Sequence, residues 1–158
     1  MNEVRNEDRR AHGRKGGIRI LQHNMQRSKT VPYEIRTQMG ADGDDILLMQ
    51  EPYSIEGKIP GLGTGVAIAC RGSKYDSTMA AVRIKSKNIT PLKVAELCTT
   101  HCVSVQISDR EMEFYVISQY FPPTENIEVG IEQLDNVSRS LRGKKTIIGL
   151  DANAKSQL

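Results

Sequence analysis

Five polar residues of this sequence interrupt or follow apolar stretches, in an order that suggests shared chemistry. They are Asn24, Glu51, Tyr120, Asp151 and Asn153. Asp151 and Asn153 lie two residues apart in the run TIIGLDAN, and Glu51 directly follows the run ILLMQ. Carboxylates, amides and a phenol suit metal-assisted cleavage of a phosphodiester bond, because this reaction needs a bound cation, a base and hydrogen-bond donors for the phosphate.

The chemistry of each residue suits one step of such a reaction. Glu51, with Asn24 beside it, offers the oxygen ligands that Mg²⁺ or Mn²⁺ prefers. Asp151 could take a proton from water, and Asn153 could position the phosphate if strand geometry continues for two residues. Tyr120, which precedes the rigid sequence FPP, could donate a hydrogen bond to the phosphate. Taken singly, each residue also fits a structural interpretation as a strand end, helix cap or turn former.

The length of the chain fits a single domain, and its net charge does not identify a binding partner. The sequence has 158 residues and a formal net charge of +3, which tolerates a polyanion but lacks the dense basic stripe of many nucleic-acid-binding proteins. Residues 1–17 mix charges of both signs with almost no apolar side chains, and they predict a disordered leader. The folded domain is therefore expected to span residues 18–158.

The lengths of the apolar runs and the number of cysteines indicate where in the cell the protein is located. No run approaches the ~20 residues of a membrane span, and the N-terminus lacks the apolar core of a secretory signal. We therefore expect an intracellular protein without a membrane partner. The odd number of cysteines, Cys70, Cys98 and Cys102, predicts free thiols in a reducing environment.

The residues from Ile18 to Gln50 predict a β-α-β unit. A short strand alternates apolar and polar residues up to Asn24, and ILLMQ predicts a second strand that is buried on both faces. The helix between them is predicted to be capped by Ser28 or Thr30, to carry Pro32 in its first turn and to end at Gly40. Its buried face is predicted to carry Val31, Ile35 and Met39.

A second β-α-β unit is predicted near the end of the sequence. Four strands are predicted before it, in VAIACR, MAAVRIKSK, VAELCTTHCVSVQIS and EMEFYVISQYF, with SDRE as a hairpin turn. A helix and the strand TIIGLDAN follow the last of them. The helix face is predicted to carry Ile127, Ile131, Leu134, Leu141 and either Val137 or Ser138. Parallel strands of such units end on the same edge of a sheet, where α/β proteins place ligand sites.

Four motifs resemble, in order and spacing, the endonuclease/exonuclease/phosphatase superfamily, which includes apurinic/apyrimidinic endonucleases and DNase I. The motifs are LQHN (21–24), LLMQEPY (47–53), ISQYFPP (117–123) and IIGLDANAKS (147–156). QEPY followed by GKIPGLGTG, and YFPPT followed by a helix and LDANA, are most similar to the endonuclease domain of R1-type non-LTR retrotransposons. The resemblance covers residues 18–158.

The resemblance implies an α/β fold, a DNase I-like sandwich of two sheets and four layers. It implies that Glu51 binds the metal beside Asn24, that Tyr120 and Asn153 contact the phosphate, and that Asp151 activates or positions water. The implied reaction nicks double-stranded chromosomal DNA, and the freed 3′-hydroxyl primes reverse transcription. A nuclear location and a reverse transcriptase domain in the intact polypeptide follow. Because the family carries a further Asp and a C-terminal Ser-Asp-His motif that this sequence does not contain, we expect the C-terminal strands to be missing, the chain to be a fragment and its independent activity to be weak or absent.

Other interpretations remain open. A phosphatase or lipid phosphodiesterase shares this fold, and a non-catalytic remnant would keep the motifs without activity. The segment CTTHC offers three ligands where a structural zinc usually has four, and GLGTG precedes a strand, which favours a loop over a phosphate cradle. His23 is expected to face away from Asn24, and His101 lies in a different strand region, so neither is expected to replace the family histidine.

Overall fold

The computed structural model describes residues 17–39, 45–73 and 77–153 of the chain. The predicted leader, apart from Gly17, lies outside these residues, as do the predicted helix stop at Gly40 and the side chain of Met39. Within the described residues the chain forms eight strands, two α-helices and one turn of 3-10 helix at Ala95–Leu97. In chain order they are β1 (Ile20–Asn24), α1 (Val31–Met39), β2 (Ile46–Gln50), β3 (Val66–Ala69), β4 (Ala80–Ile84), β5 (Thr90–Lys93), β6 (Cys102–Ser108), β7 (Glu113–Tyr120), α2 (Ile127–Ser140) and β8 (Thr146–Asp151).

The strands form two four-stranded sheets, in the orders β1-β2-β4-β3 and β5-β6-β7-β8. The β1–β2 and β7–β8 pairs are parallel, and the other pairs are antiparallel. The two parallel pairs are those predicted from the β-α-β units, so both predictions are confirmed. Asn24 is paired with Gln50, and Tyr120 is paired with Asp151, which aligns the carboxyl ends of each parallel pair.

Buried side chains lie between the two sheets and under each helix, which gives four layers. In β2, Ile46 and Leu48 face the second sheet, whereas Leu47 and Met49 pack with Ile35 of α1. Every residue of β2 is buried, as expected of an apolar run covered on both sides. A third buried cluster lies between the second sheet and α2. The predicted α/β sandwich of two sheets and four layers is therefore confirmed.

Helix α1 begins where the sequence predicts. The Ser28 hydroxyl accepts hydrogen bonds from the backbone N–H groups of Thr30 at 3.1 Å and Val31 at 3.3 Å, which otherwise have no partner within the helix. Pro32 occupies the first turn, where a missing N–H costs nothing. Ile35 is buried, so the apolar spacing of four identified the correct face.

The predicted face of helix α2 is buried only in its C-terminal part. Val137 and Leu141 are buried and Leu134 is half-buried, as predicted, but Ile127 and Ile131 are 41% and 46% exposed. The helix instead approaches the loop after β7 through Gly130, where an added Cβ atom would lie 2.5 Å from the Phe121 ring. Only a residue without a side chain permits this approach. No helix among the described residues is long and apolar enough to cross a membrane.

The segment between β4 and β6 departs most from the sequence-based prediction. The sequence predicts a strand through VAELCTTHC, but part of that stretch forms the 3-10 helix, and β6 begins only at Cys102. The preceding residues TPLK form β5 instead, at the edge of the second sheet. An edge position tolerates Pro91, because one side of the strand needs no N–H donor. The strand prediction for this segment is therefore wrong, and Cys98 lies outside β6.

Candidate active site

Asn24, Glu51 and Asp151 meet where the carboxyl ends of the two parallel strand pairs converge. Asn24 ends β1, Glu51 follows β2, and Asp151 ends β8. Asn24 Nδ2 lies 3.0 Å from Glu51 Oε1 and 2.5 Å from Asp151 Oδ2, so the same amide donates to both carboxylates. The fold thus brings one carboxylate from the first sheet next to one from the second. Their catalytic roles stay predictions.

Glu51 has a backbone conformation that non-glycine residues rarely adopt, with φ of 47°. Two backbone hydrogen bonds hold it there. Its N–H donates to the Met79 carbonyl at 2.9 Å, and its own carbonyl accepts from the Arg27 N–H at 2.7 Å. This turn ends the alternation of side chains between the two faces of β2, and it leaves the Glu51 carboxylate in contact with Asn24. Backbone strain of this kind often occurs at functional sites, where the surroundings stabilise it.

Tyr120 lies at the same edge and is only 5% exposed. Burial raises the pKa of its phenol above the ordinary value, and the nearby Glu51 and Asp151 carboxylates raise the pKa further, whereas Arg27 lowers it. The phenol therefore stays protonated at neutral pH and remains a hydrogen-bond donor.

Asn153 lies elsewhere than strand geometry would place it. Strand β8 ends at Asp151, and Asn153 has φ of 44°, so the extended conformation does not continue. Its side-chain Nδ2 donates to the Phe121 carbonyl at 3.0 Å, and its backbone N–H donates to Asp151 Oδ1 at 3.3 Å. Asn153 thus fixes the loop after β7 and orients the Asp151 carboxylate. A contact between Asn153 and phosphate stays a prediction.

Arg27 is a site residue that the motif analysis did not identify. It follows β1 in a turn where Gln26 and Arg27 have φ of 50° and 52°. Its guanidinium Nη2 lies 2.9 Å from Met79 Sδ, and its charge is near enough to Tyr120 to affect the pKa of that phenol. Because the side chain is exposed, its charge is available to a ligand at this edge. The sequence feature that could have identified Arg27 is its positive charge three residues after Asn24, at which β1 ends.

Gln50 connects the two sheets directly beneath this edge. It is fully buried, and its Nε2 donates to Ser118 Oγ at 3.0 Å and to the Gly149 carbonyl at 3.2 Å. Its Oε1 accepts from Gln22 Nε2 at 3.3 Å, and Ser118 Oγ donates to the Met49 carbonyl at 2.7 Å. A buried amide is costly unless bonded in this way. The network therefore holds the first sheet against the second.

His101 lies closer to the site than the sequence suggests. Its ring stacks on Tyr120, with 6.4 Å between ring centroids and 12° between ring planes. Its Nδ1 lies 3.0 Å from the Thr100 hydroxyl, and its Nε2 lies 3.9 Å from Glu125 Oε1. Because β6 and β7 are antiparallel, the start of β6 lies beside the end of β7. The argument that a different strand region keeps His101 remote is wrong. His23 is exposed, and its ring contacts the Asn24 carbonyl at 2.7 Å.

The oxygen atoms at this edge fit a hard divalent cation. Carboxylate oxygens of Glu51 and Asp151 are the ligand type that Mg²⁺ and Mn²⁺ accept. Over the described part of the chain, no group of three or more His, Cys, Asp or Glu side chains is placed to hold a metal ion. Two carboxylates still suit Mg²⁺, because this ion usually keeps several of its waters.

Cys70, Cys98 and Cys102 are free thiols, as the odd number of cysteines predicts.

Comparison with known proteins identifies relatives among solved structures. No protein-family model matches the chain, and neither does any curated protein. The endonuclease domain of TRAS1, a telomere-specific non-LTR retrotransposon, matches with a TM-score of 0.76 and 31% identity, over 89% of this chain and 61% of that domain. The present chain thus spans about three fifths of the TRAS1 domain.

Two more distant structures share the fold. Humanised D. rerio TDP2 matches with a TM-score of 0.62 and 15% identity, over 88% of this chain and 63% of that one. The catalytic domain of human Nocturnin matches with a TM-score of 0.54 and 14% identity, over 87% and 65% of the respective chains. This chain therefore has the DNase I-like fold of the endonuclease/exonuclease/phosphatase superfamily, and it is similar to the endonuclease domain of a non-LTR retrotransposon.

Proposed function

We propose that this chain carries the catalytic edge of a divalent-metal-dependent DNA endonuclease. The main observation in support is the contact of Asn24 with both Glu51 and Asp151, with the Tyr120 phenol near the two carboxylates. These groups could serve a metal ion, a water molecule and a phosphate at one place. The 31% identity with the TRAS1 endonuclease domain supports the same class of reaction.

The residues divide the chemistry between them. Glu51, with Asn24 beside it, would hold Mg²⁺ or Mn²⁺, and the ion would supply positive charge to the phosphate oxygens. Asp151 would accept the proton of the attacking water. The Asn153 N–H, which donates to Asp151 Oδ1, would orient this carboxylate. Tyr120 would donate a hydrogen bond from its hydroxyl group to the phosphate. The Asn24 amide would keep the two carboxylates adjacent despite their repulsion.

Cations beside the edge support a polyanionic substrate. Arg27 is exposed next to the candidate site, and Lys29 of the same loop has its Nζ 5.1 Å from the centre of the Tyr53 ring. An ammonium over an aromatic ring is held in place while it remains able to bind phosphate. Two cations in one loop fit the backbone of double-stranded DNA, in which phosphates flank the one that is cleaved.

The biological setting is proposed from the similarity to TRAS1. A nick in chromosomal DNA would leave a 3′-hydroxyl that primes reverse transcription by a further domain of the intact polypeptide. Such a reaction would take place in the nucleus. The present chain spans 61% of the TRAS1 endonuclease domain, so full activity is proposed for the complete domain.

Plasmid nicking tests the proposal. The 158-residue chain is incubated with supercoiled plasmid and Mg²⁺, and we expect open-circular product that is lost in Glu51→Gln. Glu132→Gln, at an exposed position of α2, is the matched control and should keep the activity. Release of phosphate from small esters without nicking would instead indicate a phosphatase or lipid phosphodiesterase. Absence of both activities, also in a chain extended to the full length of the TRAS1 domain, would indicate a non-catalytic remnant.

A further inference from the structure

Cys70 lies where the first sheet contacts an edge strand of the second. It directly follows β3, which belongs to the first sheet. Lys93 Nζ of β5, in the second sheet, donates to the Ala69 carbonyl at 3.0 Å. The Thr78 hydroxyl donates to the Cys70 carbonyl at 2.9 Å. Hydrogen bonds therefore hold the backbone at Cys70 beside the end of β5.

The Cys98 thiol is held at the same place from the other sheet. Cys98 Sγ donates to the Val94 carbonyl at 3.1 Å and accepts from the Ser104 N–H at 3.3 Å. Val94 directly follows Lys93, so adjacent residues contact the two cysteine segments. Burial raises the pKa of Cys98, and Cys70 raises it further through its charge and a side-chain hydrogen bond. The two thiols are therefore neighbours, one from each sheet.

Cys102 differs from this pair in both exposure and position. Cys70 and Cys98 are half-buried, whereas Cys102 is fully buried. Cys98 packs with the buried cluster between the two sheets, but Cys102 belongs to the cluster between the second sheet and α2. A small oxidant can thus reach Cys70 and Cys98, and Cys102 is separated from them by its burial.

We propose that Cys70 and Cys98 form a reversible disulfide under peroxide oxidants, and that this bond links the two sheets. The inference does not depend on the proposed function. Disulfides in reducing compartments are mostly transient and redox-sensing, which agrees with free thiols in the structure. The loop closed by the bond contains Met79, whose carbonyl accepts from the Glu51 N–H. Oxidation would therefore constrain a segment that supports the candidate active site.

The oxidation proceeds in two steps with hydrogen peroxide as the oxidant. The Cys70 thiolate attacks one peroxide oxygen, the O–O bond breaks, and Cys70 sulfenic acid and one water form, the water taking the proton that the thiol lost. The Cys98 sulfur then attacks the Cys70 sulfur, the S–O bond breaks, and the hydroxide leaves as water with the Cys98 proton. Two thiols lose two electrons, and one peroxide is reduced to two waters. Cys70 is assigned the first step because the raised pKa of Cys98 keeps that thiol protonated at neutral pH.

Peptide mapping of the oxidised chain tests the proposal. The reduced chain is treated with dilute hydrogen peroxide, its remaining thiols are alkylated, and tryptic peptides are identified by mass spectrometry. Cys70 lies in the tryptic peptide 59–71, and Cys98 and Cys102 share the peptide 94–110. We expect these two peptides to be linked, with fragment ions that assign the bond to Cys98. Dithiothreitol should separate them again.

Two variants identify the partner of Cys70. Cys98→Ser keeps a polar group that can bond the Val94 carbonyl, but it should abolish the link between the peptides. Cys102→Ala, which removes the buried thiol of the same peptide, should retain the link. Thermal melting of the reduced proteins checks that both variants fold.

Urea denaturation measures the effect of the bond on the fold. Oxidation of the unmodified chain should raise the midpoint of unfolding by roughly 1–2 M, because a disulfide restricts the unfolded chain. Oxidation should leave the midpoint of Cys98→Ser unchanged. A link between Cys70 and Cys98 that raises the midpoint would support the proposal.

Other products of the oxidation would overturn the proposal. These are a bond between Cys70 and Cys102, a disulfide between two chains that is lost on dilution, and sulfinic or sulfonic acid at Cys70 without a link. Full alkylation of both Cys70 and Cys98 after peroxide treatment would also overturn it. A link that leaves the midpoint unchanged would contradict its role in joining the sheets.

Discussion

Glu51 and Asp151 belong to different sheets but accept hydrogen bonds from the same amide nitrogen, Asn24 Nδ2, at 3.0 and 2.5 Å. Two carboxylates that contact the same nitrogen atom repel each other when both are charged, and the amide hydrogens offset part of that repulsion. A divalent cation would offset more of it. Glu51 and Asp151 can share this amide only when the two sheets keep their relative position. The packing of the sheets therefore determines whether the proposed metal site can form.

Replacement of Asn24 by alanine should weaken the binding of Mn²⁺ by roughly 10- to 100-fold, as loss of a residue that orients metal ligands commonly does. Without the shared amide, the Glu51 and Asp151 carboxylates would separate. The affinity is measured by titration with Mn²⁺ and detection of the free ion by electron paramagnetic resonance. Asn136→Ala, at an exposed position of α2, is the matched control. Equal affinity in both variants would contradict the role assigned to Asn24.

Replacement of Arg27 by alanine should weaken DNA binding about equally for all sequences and reduce the slope of log affinity against log salt by about 1, because one phosphate contact is lost. Binding of a short duplex is measured in Ca²⁺ at several salt concentrations. Arg142→Ala removes an exposed arginine beyond the end of α2, near the start of β8 and thus far from Asp151. If both variants change the slope equally, Arg27 acts only through the net charge.

Replacement of Gln50 by alanine should lower the free energy of unfolding by ~2–4 kcal/mol, because it opens a cavity and leaves the Gly149 carbonyl without its donor. Urea denaturation measures the change. Gln22→Ala removes the exposed partner of Gln50 and a hydrogen bond to the Leu150 carbonyl at 3.1 Å, and it should cost less than ~1 kcal/mol because this side chain is exposed. Similar losses in the two variants would contradict a larger contribution from the buried Gln50 amide.

The parts of the site that could be predicted from sequence are those fixed by strand ends. Asn24, Glu51, Tyr120 and Asp151 each interrupt or follow an apolar run, and parallel pairing is sufficient to bring such positions to one edge. Asn153 differs, because its placement depends on a left-handed backbone conformation that no apolar pattern encodes.

The features that the sequence did not reveal depend on tertiary packing. The proximity of His101 to Tyr120 follows from the antiparallel register of two strands that are separate in sequence. The contact of α2 with the loop after β7 is made at Gly130, whose missing side chain admits the Phe121 ring, whereas helical periodicity counts only apolar residues and predicts burial of Ile127 and Ile131. Arg27 reaches the site through a turn of two left-handed residues, which a motif centred on Asn24 does not include.

The stability of the protein should fall between about pH 9 and pH 11 in part because of Cys102. Burial raises the pKa of this thiol from 9.0 to about 11 in the folded protein. Over this range the unfolded chain loses the proton while the folded chain keeps it, so rising pH favours unfolding, by up to ~3 kcal/mol for a shift of this size. Urea denaturation at several pH values should show a shallower decline for Cys102→Ala than for the unmodified chain. Cys70→Ala retains Cys102 and should decline like the unmodified chain, and a decline that is the same in all three proteins would exclude this contribution.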